Sequence, residues 1–307
     1  MKIVVVTAEP KANYHFHYLN EEQAKDLVHL VPDTDDIKGK SFVPVVTGLE
    51  QLDDANLLVI EGGDITEWTK MVGFEANDRG VPVVLSEMAY NSSEPAGFEI
   101  PFLVGISATS PYGSFNYHSY LNDDMVDVVV TGHPMLDNLP EWTPEFNRVL
   151  VLSSESIADH GSSLKASVRS LETAGYNVEV RPHPREAEGF WDGFKLTDEL
   201  NLIKDLAKSS IVIGVPGTGF TAAVALGIPT IAIAETAGKK VLPEYKYIFP
   251  YISSKEIAEK IGSVESMNAK TSNFITGPVG GSGNRMLSFW ISSALTDEEL
   301  ETISSLT

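Results

Sequence analysis

The sequence predicts an α/β protein made of two doubly wound domains, each with a parallel β-sheet covered by helices on both faces. Short apolar runs rich in β-branched residues recur along the 307 residues, and each run is continuous rather than alternating. Strands that are buried on both faces of a parallel sheet have this pattern. Segments with helical spacing of apolar residues lie between several of the runs. Alternation of strand and helix is typical of α/β proteins.

The apolar runs give nine predicted strands. They are residues 3–6, 57–60, 81–85, 102–106, 126–130, 148–152, 178–180, 211–215 and 230–234. Helices are predicted at residues 19–30, 162–174, 197–207, 220–226, 254–262 and 284–304. Gly175 would end the second of these helices, and Thr197 is a suitable N-cap for the third. The aromatic and polar stretch 107–120 has no strong pattern and is predicted to be a long loop, either one that faces the acceptor or an ordinary one.

A domain boundary is indicated by the stretch DNLPEWTPEFN at 137–147, which contains two prolines and separates two series of strands and helices. We therefore expect a first domain at 1–140, a second at 148–285 and a last helical segment at 286–307. Ligands of doubly wound sheets bind at the carboxyl ends of the strands. With two such sheets, a site is expected in the cleft between them.

Composition excludes several classes of function. The net charge is −21, with 43 acidic and 22 basic residues, which disfavours DNA or RNA as a partner because a nucleic-acid footprint is normally basic. The absence of cysteine excludes disulfides, thiolate nucleophiles and cysteine-based metal sites. No run approaches the ~20 apolar residues of a membrane helix. The start MKIVVVTAEP is a first strand rather than a signal peptide, so we expect a soluble, cytoplasmic protein.

The most informative stretch is SSIVIGVPGTGFTAAVALGIPTIAIAE at 209–235, where a strand ends in a glycine-rich turn before a helix of small residues. Gly217 and Gly219 let the backbone approach a ligand closely, and the N–H groups that begin the helix attract phosphate. Thr218 adds a hydroxyl donor. The alternative is a tight turn without a ligand.

The same turn also fits the dinucleotide pattern G-x-G-x-x-A, with Glu235 placed 18 residues after Gly217 as a ribose-binding acid. This pattern normally opens a domain at its first strand, whereas here it lies late in the chain. The turn is not a P-loop, because the sequence has no G-x-x-x-x-G-K-[ST]. An NAD-dependent enzyme is therefore the less favoured interpretation.

A second candidate ligand loop is RPHP at 181–184, which follows a predicted strand. Pro182 and Pro184 fix φ on both sides of His183, so the histidine is held in place. A phosphate nearby would raise the pKa of the imidazole and accept a charge-assisted hydrogen bond from it. Arg181 could be a second, bidentate partner. The alternative is a loop histidine that only caps local backbone.

Together, RPHP and SSIVIGVPGTGFTAAVALGIPTIAIA resemble the C-terminal domain of GT-B-fold glycosyltransferases, which have two Rossmann-like domains. The resemblance is best to bacterial sialyltransferases, capsule polymerases and CDP-glycerol glycerophosphotransferases. The stretch VTGHPMLDNLP at 130–140 resembles the TGxP interdomain segment of those enzymes and of UDP-N-acetylglucosamine 2-epimerases. The resemblance covers about residues 128–236, less than half of the chain.

The resemblance implies a role for each matching residue. His183 would contact the donor phosphate, while Thr218 and the backbone of Gly217 and Gly219 would hold phosphate oxygens. Glu235 would lie near the ribose or sugar, and His133 at the hinge. Such enzymes generally need no metal or other cofactor, and a nucleotide-activated sugar is their co-substrate. The segment 286–307 would pack back on the first domain.

An inverting transferase also needs a general base for the acceptor hydroxyl. Three carboxylates follow strands of the first domain, namely Glu9, Asp64 and Glu87. Asp64 is preferred, since the glycines before it would let an acceptor approach. His15 and His17 form an H-x-H pair that could bind a metal, but no second cluster supports it, so no metal is predicted.

The sequence departs from the family at 221–225, where many GT-B enzymes have an acidic residue and this helix reads TAAVA. The preferred interpretation is a glycosyltransferase that moves a sugar or related unit from a nucleotide-activated donor to an acceptor that the sequence does not identify. The alternatives are an epimerase or hydrolase of sugar nucleotides on the same fold and a non-catalytic nucleotide-binding protein.

Overall fold

The computed structural model of the chain describes residues 1–7, 15–32, 42–62, 66–87, 100, 102–120, 126–154, 157–183, 186–236, 249–267 and 269–295. The chain divides into two compact units. Unit 1 combines Met1–Asn138 with Phe274–Thr307, and unit 2 is Leu139–Asn273. The second unit thus begins before the expected residue 148 and ends before the expected residue 285, and the return to unit 1 includes more than the segment 286–307.

The described residues contain twelve strands and nine α-helices. The strands are β1 (Ile3–Thr7), β2 (Leu27–Leu30), β3 (Val45–Val46), β4 (Leu57–Glu61), β5 (Val83–Ser86), β6 (Leu103–Ala108), β7 (Asp127–Val130), β8 (Arg148–Leu152), β9 (Asn177–Arg181), β10 (Ile211–Gly214), β11 (Thr230–Ile233) and β12 (Tyr251–Ile252). The helices are α1 (Glu21–Ala24), α2 (Glu67–Asp78), α3 (Pro111–Tyr120), α4 (Ile157–Thr173), α5 (Leu202–Ala207), α6 (Thr218–Ala225), α7 (Ile257–Lys260), α8 (Ala269–Thr276) and α9 (Ser282–Ser293).

Each unit has one parallel sheet, and the strand order reverses once in each. Unit 1 has the order β3-β2-β1-β4-β5-β6-β7, which reverses between β1 and β4. Unit 2 has the order β12-β11-β10-β8-β9, which reverses between β8 and β10. Ligands of doubly wound sheets bind at the carboxyl ends of the strands where this reversal occurs. The topology therefore points to Thr7 and Glu61 in unit 1, and to Leu152 and Gly214 in unit 2.

The sheet of unit 1 has an apolar core on each face. One core includes Val72 and Ala76 of α2, and the other includes Met286 and Trp290 of α9. Trp290 is fully buried, so α9 is an integral layer of unit 1 although it lies far along the chain. In unit 2, α4 contributes Leu164, Val168 and Leu171 to the core against β8 and β9.

The predicted α/β class with parallel sheets is confirmed, and each of the nine predicted strands is present. The helix predicted at 19–30 is wrong. A capping box between Asn20 and Gln23 starts α1, but this helix has four residues, and β2 then pairs with β1 from Ile3↔Leu27 to Val6↔Leu30. Leucines at helical spacing are buried equally well by a strand that is covered on both faces, so spacing alone did not distinguish the two.

The loop predicted at 107–120 is wrong as well, because α3 occupies most of it. Ser110 is its N-cap, with Oγ accepting a hydrogen bond from the N–H of Gly113 at 3.0 Å. Pro111 occupies the first helical position, where a missing N–H costs nothing. Ser-Pro is thus a helix start signal that the aromatic composition of the stretch concealed.

The helix predicted at 197–207 begins later, at Leu202. Its N-cap is Asn201, whose side chain accepts from the N–H of Lys204 at 3.1 Å. Before it, Leu196 forms a parallel bridge to Val180 of β9. Within the described residues, no helix is long and apolar enough to cross a membrane.

Candidate functional site

The carboxyl ends of β8 and β10 lie in close contact in unit 2. Gly214 has φ of +144°, and a Cβ on it would lie 2.1 Å from the carbonyl oxygen of its register partner Leu152. Only glycine fits this position, since a side chain would collide with the backbone. The chain therefore leaves β10 directly over the end of β8, at the point where the strand order reverses.

The predicted glycine turn connects β10 to α6. Gly217 is the N-cap residue and has an extended conformation. As a glycine it has no side chain that could cap the helix. The N–H groups of Phe220 and Thr221 donate to its carbonyl oxygen, at 2.9 and 3.2 Å. The N–H groups of Thr218 and Gly219 come earlier in the first turn, where a helix offers no internal acceptor. They are the groups that can bind an anion here.

Gly219 has a packing role. A Cβ on Gly219 would lie 2.7 Å from Cδ1 of Leu152, so the first turn of α6 packs tightly on the end of β8. Glycine at this place in a doubly wound sheet permits close packing of helix on strand. Leu152 thus touches both Gly214 and Gly219.

His183 follows β9, the strand beside β8. Both its backbone N–H and its carbonyl oxygen form hydrogen bonds with Glu186. Its N–H donates to Oε2 of Glu186 at 2.5 Å, and its carbonyl oxygen accepts from the N–H of Glu186 at 3.0 Å. Pro182 fixes the chain before it. Glu186 therefore restrains the backbone of His183 in addition to Pro182. Pro184 lies outside the described residues.

Arg181 has partners other than a bound phosphate. Its Nη1 donates to Oδ2 of Asp205 at 2.9 Å and to the carbonyl oxygen of Glu199 at 2.6 Å, and its Nη2 donates to the carbonyl oxygen of Leu200 at 2.7 Å. Asp205 is fully buried and also accepts from Nη2 of Arg148. Arg181 therefore belongs to an internal ion-pair network, and its contact with a phosphate stays a prediction.

Glu235 holds the neighbouring strand end. Both carboxylate oxygens accept from the N–H of Ser254 at 3.0 Å, and Oε1 also accepts from the Ser254 hydroxyl at 2.8 Å. Burial raises the pKa of Glu235, but the hydrogen bonds from its own backbone and from Ser254 outweigh burial, so the pKa lies below its usual value. The carboxylate thus connects the end of β11 to the end of β12, and its contact with a ribose stays a prediction.

His133 belongs to unit 1 and is buried. It is the N-cap of a short 3-10 helix at Pro134–Leu136, where its Nδ1 accepts from the N–H of Met135 at 3.1 Å. The ring of Tyr18 lies against it, with centroids 5.8 Å apart. These contacts give His133 a role in the turn that leads out of unit 1.

Of the three predicted bases, Glu87 is within the described residues, whereas Glu9 and Asp64 lie outside them. Glu87 follows β5 and is 2% exposed. Its Oε2 accepts from the N–H and the hydroxyl of Thr109, at 2.7 and 2.8 Å. A Cβ on Gly113 would lie 2.3 Å from the same oxygen, so α3 packs directly on the carboxyl group.

Burial raises the pKa of Glu87 to about 7, although the two hydrogen bonds from Thr109 act in the opposite direction. A carboxyl group with a pKa near neutrality can accept and release a proton at pH 7. This property distinguishes Glu87 from an ordinary surface glutamate.

The structure also places polar groups at the sheet edge of unit 1 that the sequence did not single out. Thr7, Glu61, Ser86 and Ser107 are neighbours in register across β1, β4, β5 and β6, and each is at most 1% exposed. Ser107 donates to Ser86 at 3.0 Å. The signal was present, because each of these residues ends or nearly ends an apolar run.

A buried histidine lies beside this row. Nε2 of His29 is 3.0 Å from the hydroxyl of Thr7. Burial, and to a smaller extent the charge of His17, lower the pKa of His29 to about 4. Burial also lowers the pKa of His17. In the part of the chain that the structure describes, no group of three or more histidine or carboxylate side chains is placed to hold a metal ion.

Glu186 and Ser153 are the residues of unit 2 that the sequence interpretation missed. Oε1 of Glu186 accepts from the Ser153 hydroxyl at 2.5 Å, and Ser153 directly follows β8. The loop after β9 is thereby joined to the end of β8. A glutamate three residues after His183 was the available signal, because carboxylates at this spacing often return to a backbone N–H, as in a capping box.

No protein-family model and no curated protein matches the sequence of the chain. Solved structures do match its fold. A histidine-to-alanine variant of the wall teichoic acid polymerase TagF superposes with a TM-score of 0.64 at 10% identity, covering 97% of this chain and 90% of that chain. The UDP-GlcNAc 2-epimerase from Methanocaldococcus jannaschii gives 0.61 at 12% identity, covering 95% and 100%. The enzyme of the same name from Neisseria meningitidis, bound to UDP-GlcNAc, gives 0.57 at 12%, covering 95% and 100%.

These superpositions establish a shared fold. At identities of 10–12% they establish no more than that. The prediction of a GT-B-like architecture, made from the RPHP loop and the glycine turn, is confirmed at that level. The chain therefore has the GT-B fold, with two parallel α/β sheets of seven and five strands.

Proposed function

We propose that the chain is a glycosyltransferase that moves a sugar, or a related unit, from a nucleotide-activated donor to an acceptor. The fold likeness to TagF and to UDP-GlcNAc 2-epimerases supports an enzyme that uses such donors, since structures of both are known with ligands named CDPG and UDP-GlcNAc. The resemblance of the RPHP loop and the glycine turn to transferase motifs supports the choice of transfer.

The observation that carries the proposal is the convergence of three loops on the end of β8. Leu152 is packed against Gly214 and Gly219 of the glycine turn. The next residue, Ser153, is joined through Glu186 to the backbone of His183. The loops after β8, β9 and β10 therefore meet where the strand order of unit 2 reverses, which is the place where doubly wound sheets bind nucleotides.

The groups at this place suit a phosphate. The N–H groups of Thr218 and Gly219 begin α6, and the positive end of the helix dipole adds to their attraction for an anion. The Thr218 hydroxyl and the His183 imidazole are further donors in the proposal. Charge that develops on the leaving nucleotide would be stabilised by these fixed donors, so the proposal includes no metal ion.

For the general base we propose Glu87. Its pKa of about 7 lets it take the proton of an acceptor hydroxyl near neutral pH. Its position after β5 places it at the carboxyl edge of the sheet of unit 1. Glu9 and Asp64 remain predictions for the same role.

Nucleotide binding is the first test. Wild-type protein, His183→Ala and a control, His118→Ala, are titrated calorimetrically with UDP, CDP, CMP, GDP, ADP and NAD. His118 is an exposed histidine of α3 in unit 1. We expect one nucleotide other than NAD to bind, with a Kd at least roughly tenfold higher in His183→Ala, since a hydrogen bond to a charged group is lost. Absence of binding by every nucleotide would remove the proposal's main support.

Acceptor dependence is the second test, and it separates transfer from the alternative reaction. The donor that carries the nucleotide found above is incubated with the enzyme, with and without a panel of sugar and polyol acceptors. A transferase releases nucleotide only when an acceptor is present. Conversion of the donor without any acceptor would instead identify an epimerase or a hydrolase, and binding without either reaction a non-catalytic nucleotide-binding protein.

A further inference from the structure

We infer that Glu186 is a positioning residue for His183, fixing the backbone from which the imidazole reaches the nucleotide phosphate. The inference deepens the proposed function and rests on it for the identity of the ligand. Its structural part concerns Glu186 and His183 alone and can be tested without any nucleotide.

Glu186 and His183 form a reciprocal pair. Oε2 of Glu186 accepts from the N–H of His183 at 2.5 Å, while the N–H of Glu186 donates to the carbonyl oxygen of His183 at 3.0 Å. Both backbone polar groups of His183 are therefore bonded to one residue. With Pro182 fixing the preceding φ, little freedom is left to the backbone that carries the imidazole.

The other carboxylate contacts of Glu186 connect this pair to two rigid parts of unit 2. The Ser153 hydroxyl donates to Oε1 at 2.5 Å, and Ser153 directly follows β8, which lies between β10 and β9 in the sheet. The indole Nε1 of Trp191 donates to Oε1 and Oε2, at 3.2 and 3.4 Å. Trp191 is 4% exposed and belongs to the core of unit 2. The position of His183 is thus set by the sheet and by the core.

Glu186 has two effects on anion binding, and they change Kd in opposite directions. A measured change in Kd therefore shows which effect is larger. Its negative charge lies near the proposed phosphate and by itself weakens the binding of an anion. Its hydrogen bonds to His183, Ser153 and Trp191 hold a donor in place and strengthen binding. If positioning dominates, removing the carboxylate raises Kd. If Glu186 acts only as a charge, removing it lowers Kd.

The variants follow from this contrast. Glu186→Ala removes the charge and the hydrogen bonds from His183, Ser153 and Trp191. Glu186→Gln removes the charge and replaces one carboxylate oxygen by an amide nitrogen, which cannot accept a hydrogen bond. Glu188→Ala is the matched control, because it removes the same charge from an exposed side chain of the same loop. Ser153→Ala removes one donor and tests the same connection if the Glu186 variants do not fold.

The first measurement uses the protein without nucleotide. The imidazole Hε1 signal of His183 is assigned by NMR from its loss in His183→Asn. We expect Glu186→Ala to change the chemical shift of this signal, and Ser153→Ala to change it in the same direction by less. Glu188→Ala is expected to leave the chemical shift in place. An unmoved signal in both Glu186→Ala and Ser153→Ala would overturn the inference, whether or not any nucleotide binds.

The second measurement titrates the nucleotide that binds wild-type protein most tightly among UDP, CDP, CMP, GDP and ADP. We expect Kd to rise roughly tenfold in Glu186→Ala and in Glu186→Gln, and to fall slightly in Glu188→Ala. In the His183→Ala background, Glu186→Ala should add little, because the two residues act as one unit. A lower Kd in Glu186→Ala would overturn the inference. Failure of the wild type to bind would instead count against the proposed function, and the NMR result would still decide the role of Glu186.

Discussion

The two units share one architecture, but the charged side chains at the carboxyl edges of their sheets have different environments. In unit 1, Glu61 and Glu87 are almost completely buried among strand ends, and burial raises the pKa of Glu87 to about 7. In unit 2, Glu186 and Glu235 accept hydrogen bonds from neighbouring loops, and Arg181 is neutralised by Asp205.

In terms of the proposed function, this difference suits unit 1 to proton transfer and unit 2 to anion binding. A carboxyl group that is close to its pKa at pH 7 is suited to moving a proton. Loops whose polar groups are already fixed by hydrogen bonds are suited to holding an anion without reorganisation. The four changes below test this comparison, in order of decreasing expected effect.

Loss of α9 from the core should affect unit 1 and spare unit 2. Trp290 is fully buried in the core that α9 closes, so Trp290→Ala is expected to lower the free energy of unfolding of unit 1 by about 3–5 kcal/mol. Native-state hydrogen exchange of amides in β4 and β8 reports on the two units separately. Ile291→Ala, at a position that is 40% exposed, is the control. Equal loss of protection in β8 would mean that the units do not unfold independently.

The buried ion pairs should matter to unit 2 alone. Asp205→Asn removes the carboxylate that Arg148 and Arg181 share, while Arg148 keeps its ion pair with Glu179. We expect the free energy of unfolding of unit 2 to fall by about 3 kcal/mol, because the two arginines lose the buried carboxylate that balances part of their charge. Protection of amides in β8 and β9 measures the loss. Asp198→Asn, at an exposed position, should change it little, and an unaffected β9 in Asp205→Asn would contradict the importance of the network.

The raised pKa of Glu87 should make unit 1 less stable as pH rises. Between pH 4.5 and about 7 the folded state keeps the proton that the unfolded state releases, so the free energy of unfolding falls with pH over this range. From pH 5 to pH 8 the fall due to Glu87 is about 2.5 kcal/mol. Urea unfolding at both pH values compares wild type with Glu87→Gln, which mimics the protonated carboxyl. The same fall in Glu87→Gln would show that Glu87 is not its source.

The smallest expected effect concerns Glu235. Glu235→Ala removes the hydrogen bonds to Ser254, so the stability of unit 2 should fall by about 1 kcal/mol in thermal or urea unfolding. Because the carboxylate is already bound to Ser254, nucleotide affinity should stay within about twofold of wild type, by the calorimetry used for His183→Ala. A loss of affinity as large as that of His183→Ala would instead support the predicted contact of Glu235 with the ribose or sugar.

Most strands were predictable because they are buried on both faces and therefore form continuous apolar runs, as in RVLVL of β8. The glycine turn and the RPHP loop could also be located, since glycine and proline fix backbone geometry locally. The partners of Arg181 and Glu235 could not be predicted. Asp205 and Ser254 are separated from them by 24 and 19 residues, and an apolar pattern does not show which charges meet.

The raised pKa of Glu87 likewise could not be predicted from the sequence. The value depends on burial by α3, which covers the carboxyl at Gly113, and the stretch that forms α3 is weakly patterned. Sequence patterns thus located the carboxylates at strand ends but did not identify which of them is shielded from water. That property arises from the packing of a neighbouring helix.

The contribution of α9 to unit 1 has a consequence for the order of events during translation. The strands of unit 1 are made first, but the core on one face of their sheet stays incomplete until Trp290 emerges, 152 residues after Asn138. At a synthesis rate of about 5–20 residues per second, this delay is roughly 8–30 seconds. Within it the ribosome produces the whole of Leu139–Asn273, so unit 2 can finish folding before the unit that precedes it. A nascent chain stalled before α9 should therefore expose an apolar sheet face to chaperones, and one stalled after it should not.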